Sequence, residues 1–210
     1  MGEPAQGTIS LIISIGGKTI GGAAIRTADH PNVYQNITLP VAHAGSLTTR
    51  TNDAEGVITL AGGHDVANGT YDVYWSGGMR YEVSCTVDVN ACTITGGAGD
   101  NLPAKDTALT VAHRVTVNCA IDGDAVKLIG IWVAYVSSAS VAPAHVQLDD
   151  ATGDTIDEID LLANQAWPWD YLNGQGNPLT GDPITIGYAS NGSATEVGTL
   201  DIVSLEDSTP

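Results

Sequence analysis

The chain has 210 residues, 43% of them apolar, with 25 glycines and a formal charge of −17 from 24 acidic against seven basic side chains. That length carries one large or two small domains with real cores. The charge excludes a surface that grips nucleic acid, which needs Lys and Arg to neutralise phosphates, and no apolar run reaches the roughly 18–20 residues of a membrane-spanning helix.

In chain order, the segment from Thr8 to Ile15 reads as a strand with one dense apolar face, ended by Gly16-Gly17. A thinner strand follows over Ile20 to Arg26, and an alternating one over Val33 to Leu39 stops at Pro40, which cannot donate to a sheet ladder. Composition then shifts toward Ala, Ser and Thr up to Asn52. From Gly56 to Pro103 the pattern is a strip of short strands, 56–60, 71–75, 81–87 and 92–95, with breaks rich in Gly and Asn. Strict period-two alternation is the mark of half-buried antiparallel strands, and a strip of this kind predicts a small barrel. A two-residue turn at Val89-Asn90 would set Cys85 opposite Ile94 and leave Cys92 only diagonal to it, which disfavours a disulfide.

Strand patterning resumes at 108–111 and 114–118. The most hydrophobic run, Val126 to Val136, is rich in β-branched and aromatic residues and reads as a central strand. Strands at 145–148, 155–161, 184–188 and 199–205 complete the set, with a turn at Asp150 to Gly153. The lone helix candidate, Asp157 to Ala163, alternates well enough to be a strand. The expectation is an all-β protein: a β-sandwich with an inserted or adjacent small β-barrel and very little helix. Residues 1–43 would supply strands to the C-terminal sandwich, 44–103 the barrel, and 104–210 the sandwich itself.

Little here advertises chemistry. A G-x-S-x-G nucleophile elbow is missing. His30, His43, His64, His113 and His145 stand singly, so a metal site would have to be assembled from distant segments, and each reads first as a turn or edge residue. Three cysteines without a metal-type doublet predict neither a disulfide framework nor zinc. The cation candidate is calcium at Asp150, Asp154 and Asp157, because calcium takes hard oxygen ligands on flexible loops. The spacing fails the EF-hand pattern, and a hairpin tip with acids on the wet face explains it equally. No metal or other cofactor is therefore expected. Trp167-Pro168-Trp169-Asp170-Tyr171 could stack on a sugar, but its turn-rich sequel favours a plug that seals an edge or a neighbouring subunit. Sequons begin at Asn36, Asn68 and Asn191, yet Met1 to Gly7 lacks the basic start of a secretory signal, so synthesis in a host cytoplasm is expected.

Two stretches carry a family likeness. Gly62-Gly63-His64 through Asp72-Val73-Tyr74-Trp75-Ser76-Gly77-Gly78, leading into Gly99-Asp100-Asn101-Leu102-Pro103, is one, and Ala189-Ser190-Asn191-Gly192 through Thr199 to Leu205 is the other. With them the chain resembles the β-rich virion structural proteins of tailed bacteriophages. The resemblance implies a non-enzymatic subunit located in the virion, a homo-oligomer (trimer or hexamer) that docks on other virion proteins. A capsid decoration, or cement, subunit is the first expectation. A tail tube subunit is the alternative: that family packs a helix on its sandwich, which this sequence scarcely offers, although an acidic lumen would let DNA slide. A carbohydrate-binding or adhesin module is the remaining one. Interface residues expected on this reading are Trp167, Trp169 and Tyr171, with Ile9 and Leu11 beside the N-terminal arm.

Overall fold

The computed structural model describes residues 8–15, 18–21, 32–122, 126–136, 144–150, 152–162, 164–170, 184–190 and 196–206. All its regular elements are strands: β1 (Thr8–Ile15), β2 (Lys18–Gly21), β3 (Asn32–Leu39), β4 (His43–Arg50), β5 (Gly56–Leu60), β6 (Gly69–Trp75), β7 (Gly78–Asp88), β8 (Ala91–Thr95), β9 (Ala98–Gly99), β10 (Ala108–Asp122), β11 (Val126–Val136), β12 (Ala144–Asp149), β13 (Thr155–Leu161), β14 (Gln165–Asp170), β15 (Ile184–Ser190) and β16 (Glu196–Glu206). The protein is all-β, and the residues of the helix candidate that are described up to Leu161 lie in β13.

The barrel closes through a circuit of antiparallel pairs, β4 to β5, β5 to β8, β8 to β7, β7 to β6, and β6 back to β4 through β10. The start of β10 is the closing stave: Ala108 to Val111 pair with Ser46 to His43 on one side, and Leu109 to His113 pair with Trp75 to Tyr71 on the other. Alternation along the staves fills the interior. Val83 and Cys85 from β7, Cys92 and Ile94 from β8, and Leu109 and Val111 from β10 join one buried cluster. Closure removes the unpaired edges that a small open sheet would expose.

The seam of the barrel falls inside a strand. Beyond His113, β10 continues without a break and pairs with β1 and β15, entering a six-strand array ordered β13, β12, β15, β10, β1, β2. A second sheet, β14, β11, β16, β3, lies apart from this path, with β11 flanked on both sides by partners. β1 and β3, from the start of the chain, thus pair with strands from its second half. Ile37, Leu39, Val117, Val133, Val146, Leu148 and Ile186 are fully buried in these sheets.

The outer face of β6 is covered as well. Tyr71 and Val73 point into the barrel core, whereas Asp72 and Tyr74, on the opposite face, are buried against the rest of the protein. Tyr74 packs with Ala112 and Ala189, and its hydroxyl donates to the Ala189 carbonyl at 3.2 Å. From sequence Tyr74 reads as barrel core or rim. It instead joins the barrel to the sheets, because the outer face of β6 is covered by residues of β10 and β15.

The β7–β8 hairpin has the register its two-residue turn dictates: Cys85 faces Ile94 and Val87 faces Cys92. Both cysteines are buried and free. The turn sets Val89 at a φ of 55°, in the left-handed region.

Candidate functional site

The polar face of the six-strand array meets the outer face of the barrel, and the chemistry-bearing side chains collect there and at the barrel end nearby. Register explains the collection. His145 and Gln147 on β12 pair with Asp160 and Glu158 on β13 and with Ala189 and Gly187 on β15, so all six share one face, as does Arg114 opposite Ala189.

At the centre of the contact Arg114 is an ionic clasp. Its guanidinium reaches Asp72 Oδ1 at 3.2 Å on the barrel side and donates to Gln147 Oε1 on the other. Asp72 Oδ1 also accepts the Glu82 amide at 3.0 Å, and Gln147 Nε2 donates to Asp149 and Thr155 at 2.8 and 2.7 Å. Asp72, Arg114 and Gln147 are 1%, 7% and 2% exposed. A buried charge pair of this kind is held by its hydrogen bonds rather than by Coulomb attraction alone.

Beside the clasp lies a cleft of about 420 Å³ lined by Met79, Tyr81, Gly99 and Asp100 from the barrel and His145, Glu158, Ile159 and Asp160 from the sheets. The His145 ring is buried under the Tyr81 ring, with centroids 4.2 Å apart and planes 14° off parallel. Its Nδ1 donates to Asp160 Oδ1 at 2.9 Å, while Nε2 has no hydrogen-bond partner and lies 3.9 Å from Glu158 Oε2. The Tyr81 hydroxyl donates to Glu158 Oε1 at 3.0 Å. Burial, and then the bond to the Glu158 carboxylate, push the Tyr81 hydroxyl up to a pKa of about 12. Tyr81 is therefore a donor at neutral pH rather than a nucleophile. None of the described lining residues is a serine or cysteine.

At the barrel end, His43 at the start of β4, Asp65 in the β5–β6 loop and His113 in β10 converge. His113 Nε2 donates to Asp65 Oδ1 at 3.0 Å, and His43 Nε2 lies 2.5 Å from the same oxygen. The two imidazoles meet edge to face with centroids 5.5 Å apart, and Tyr71 flanks His113 at 5.1 Å. The His113 bond holds the Asp65 carboxyl below the usual aspartate range. Among the described residues these three form the group of side chains able to hold a metal ion.

The residues singled out from sequence are placed as follows. Trp167 lies on β14, a strand at the edge of its sheet, and is 41% exposed. Trp169 pairs with Ile131 on the same strand, its side chain outside the described residues, as is the whole of Tyr171. Ile9 and Leu11 pair with Ile121 and Cys119 along β10, their side chains likewise outside. Asp150 serves its own hairpin: Oδ1 accepts from the Thr152 amide and hydroxyl and from the Asp154 amide, at 2.8, 2.7 and 2.9 Å. Asp154 Oδ2 takes the Thr152 hydroxyl at 3.2 Å, and Asp157 stands exposed on β13 opposite Leu148.

Sequence reasoning named His43, His113 and His145 but read each first as a turn or edge residue, and it passed over Asp65 and Tyr81, because each stands alone in the chain. The signal that existed was weak: His113 and Arg114 sit side by side within a strand rich in Ala, Leu and Val, a place where a polar side chain needs a partner. No protein-family model matches the chain, and no curated protein matches it either.

Proposed function

We propose that this protein is a non-enzymatic structural subunit of a tailed-phage type of particle, a capsid decoration protein that works by docking on its virion neighbours. The observation that carries the reading is an apolar knob on an acidic protein. Leu162, 58% exposed, and Trp167, 41% exposed, stand on either side of the turn that joins the two sheets. That turn is fixed, since the Gln165 amide donates to the Leu162 carbonyl and Gln165 Oε1 accepts the Leu162 amide, both at 2.9 Å. Of the large hydrophobic side chains exposed among the described residues, the remaining one, Val89, tips a hairpin.

Rigid presentation of an aromatic beside an aliphatic residue is the composition of an interface centre, where burial of such anchors supplies most of the affinity. Pro168 on the same edge strand withholds an amide from any added strand, so the edge favours side-chain docking over open-ended sheet growth. The coat lattice is the proposed occupant, and a trimer or hexamer the proposed assembly. Decoration is placed ahead of the tail tube because the described residues form strands without a helix to pack on them.

The test is incorporation. Trp167→Ala with Trp169→Ala, or removal of residues 1–7, should abolish addition of the purified protein to particles while the circular dichroism of the strands is kept. Unchanged incorporation refutes the reading. Negative-stain images of the protein alone separate the alternatives: rings or stacked tubes would make it a tail component, and glycan binding lost on Trp169→Ala would make it a carbohydrate module.

A further inference from the structure

We propose that His43, Asp65 and His113 are the ligands of a divalent first-row transition-metal ion, zinc foremost, bound where the barrel passes into the sheets. The donors fit that class. Two imidazole nitrogens and one carboxylate suit zinc and its neighbours, whereas calcium and magnesium call for a shell of oxygens.

The arrangement is already gathered. Both Nε2 atoms lie within 3.0 Å of one carboxylate oxygen, and the three ligand atoms lie within 4.8 Å of one another. The imidazoles are held, their side chains 20% and 12% exposed, His113 between Tyr71 and His43. Asp65 is 76% exposed, which leaves one side open for a water as further ligand. Four ligands in a tetrahedron at about 2.0–2.1 Å from zinc stand about 3.3 Å apart. From separations of 2.5 and 3.0 Å the carboxylate has to back away by less than about 1 Å. Its loop allows this: Gly62 and Gly63 precede Asp65, Gly63 takes a φ of +84°, and neither has a neighbouring atom within 4 Å of where a Cβ would sit. On binding, each imidazole would present the Nε2 lone pair to the ion and carry its proton on Nδ1.

Such an ion would tie three segments that are far apart in sequence, Asp65 and His113 being 48 positions apart. It would fix β10 at the point where that strand leaves the barrel. The charge of −17 adds a general attraction for cations.

The experiment uses the untagged full chain stripped by a chelator, titrated with zinc chloride in a calorimeter and melted with and without the ion. Expected are one zinc per chain with a dissociation constant near or below about 10 µM, and a melting temperature raised by about 5–10 °C at a hundredfold excess over that constant. Asp65→Asn, His43→Gln and His113→Gln should each weaken binding at least tenfold, and calcium should not compete. Asp65→Asn sits on an exposed loop and keeps the fold, so a loss there reads the site itself. Absence of binding, uptake that the three variants leave unchanged, or equal competition by calcium would each overturn the proposal.

Discussion

Gly187 offers the sharpest test of how barrel and sheets are joined. It pairs with Thr116 on β10 and Gln147 on β12, and the Arg114 guanidinium crosses directly over it to reach Gln147. A Cβ at Gly187 would stand 2.7 Å from Arg114 Nε and 2.8 Å from Nη2. Gly187→Ala therefore pushes Nη2 of the guanidinium off its bond to Gln147. Losing one hydrogen bond to a charged group costs about 1.5–3 kcal/mol, while alanine in a strand gains about 0.5–1 kcal/mol over glycine. The net expectation is a loss of about 1–2 kcal/mol, or roughly 2–8 °C in Tm for a chain of this size. In an Asp72→Asn/Arg114→Ala background the three atoms nearest the methyl group, all of Arg114, are gone, so the same substitution should stabilise by about 0.5–1 kcal/mol. Urea midpoints at constant slope read both legs of the cycle. A change of the same sign in both backgrounds would refute the clasp.

Other outcomes follow from single features. Val89, 81% exposed with a φ of 55°, holds a β-branched residue in the left-handed region, which costs about 1–2 kcal/mol. Val89→Gly should raise stability by about 0.5–1 kcal/mol after glycine's own entropic cost, and a lowered Tm by calorimetry would contradict this. Tyr81, with a folded pKa of about 12, favours the fold in its neutral form. Its contribution is complete below the ordinary tyrosine value of about 10 and is lost as pH rises toward about 12. Burial raises the Tyr71 and Tyr74 hydroxyls as well, so the reading is a difference: Tyr81→Phe should remove one tyrosinate from the late-titrating set, and loss of one that titrates near pH 10 would refute the Glu158 contact. Hydrogen bonding to Cys92 and burial raise the Cys85 thiol. In a Cys119→Ser protein, Cys85 and Cys92 should resist an aqueous disulfide reagent until the chain is denatured and then both react, and a denatured chain without free thiols would show a bridge instead.

Local pattern carried most of the fold. Alternation in 81–87 and 92–95 predicts β7 and β8, the spacing of the Val89-Asn90 turn predicts the Cys85 to Ile94 register, and the β-branched run 126–136 predicts β11 between two partners. These are short-range properties, because a period of two and a two-residue turn are set by backbone geometry within a few residues. Charge composition likewise fixed the acidic surface without reference to structure.

The candidate sites were decided otherwise. Nothing within His43, Asp65 or His113 reveals the others, and Tyr81 and His145 are brought face to face by two different bodies of the protein. The deciding element is β10, which pairs with β4 and β6 over its first residues and with β1 and β15 over its last. Sequence determined that β10 would be a strand, since period and propensity are local. Only the tertiary structure decided that it closes a barrel at one end and enters a sheet at the other, because strand partners are chosen by which distant faces can be buried together.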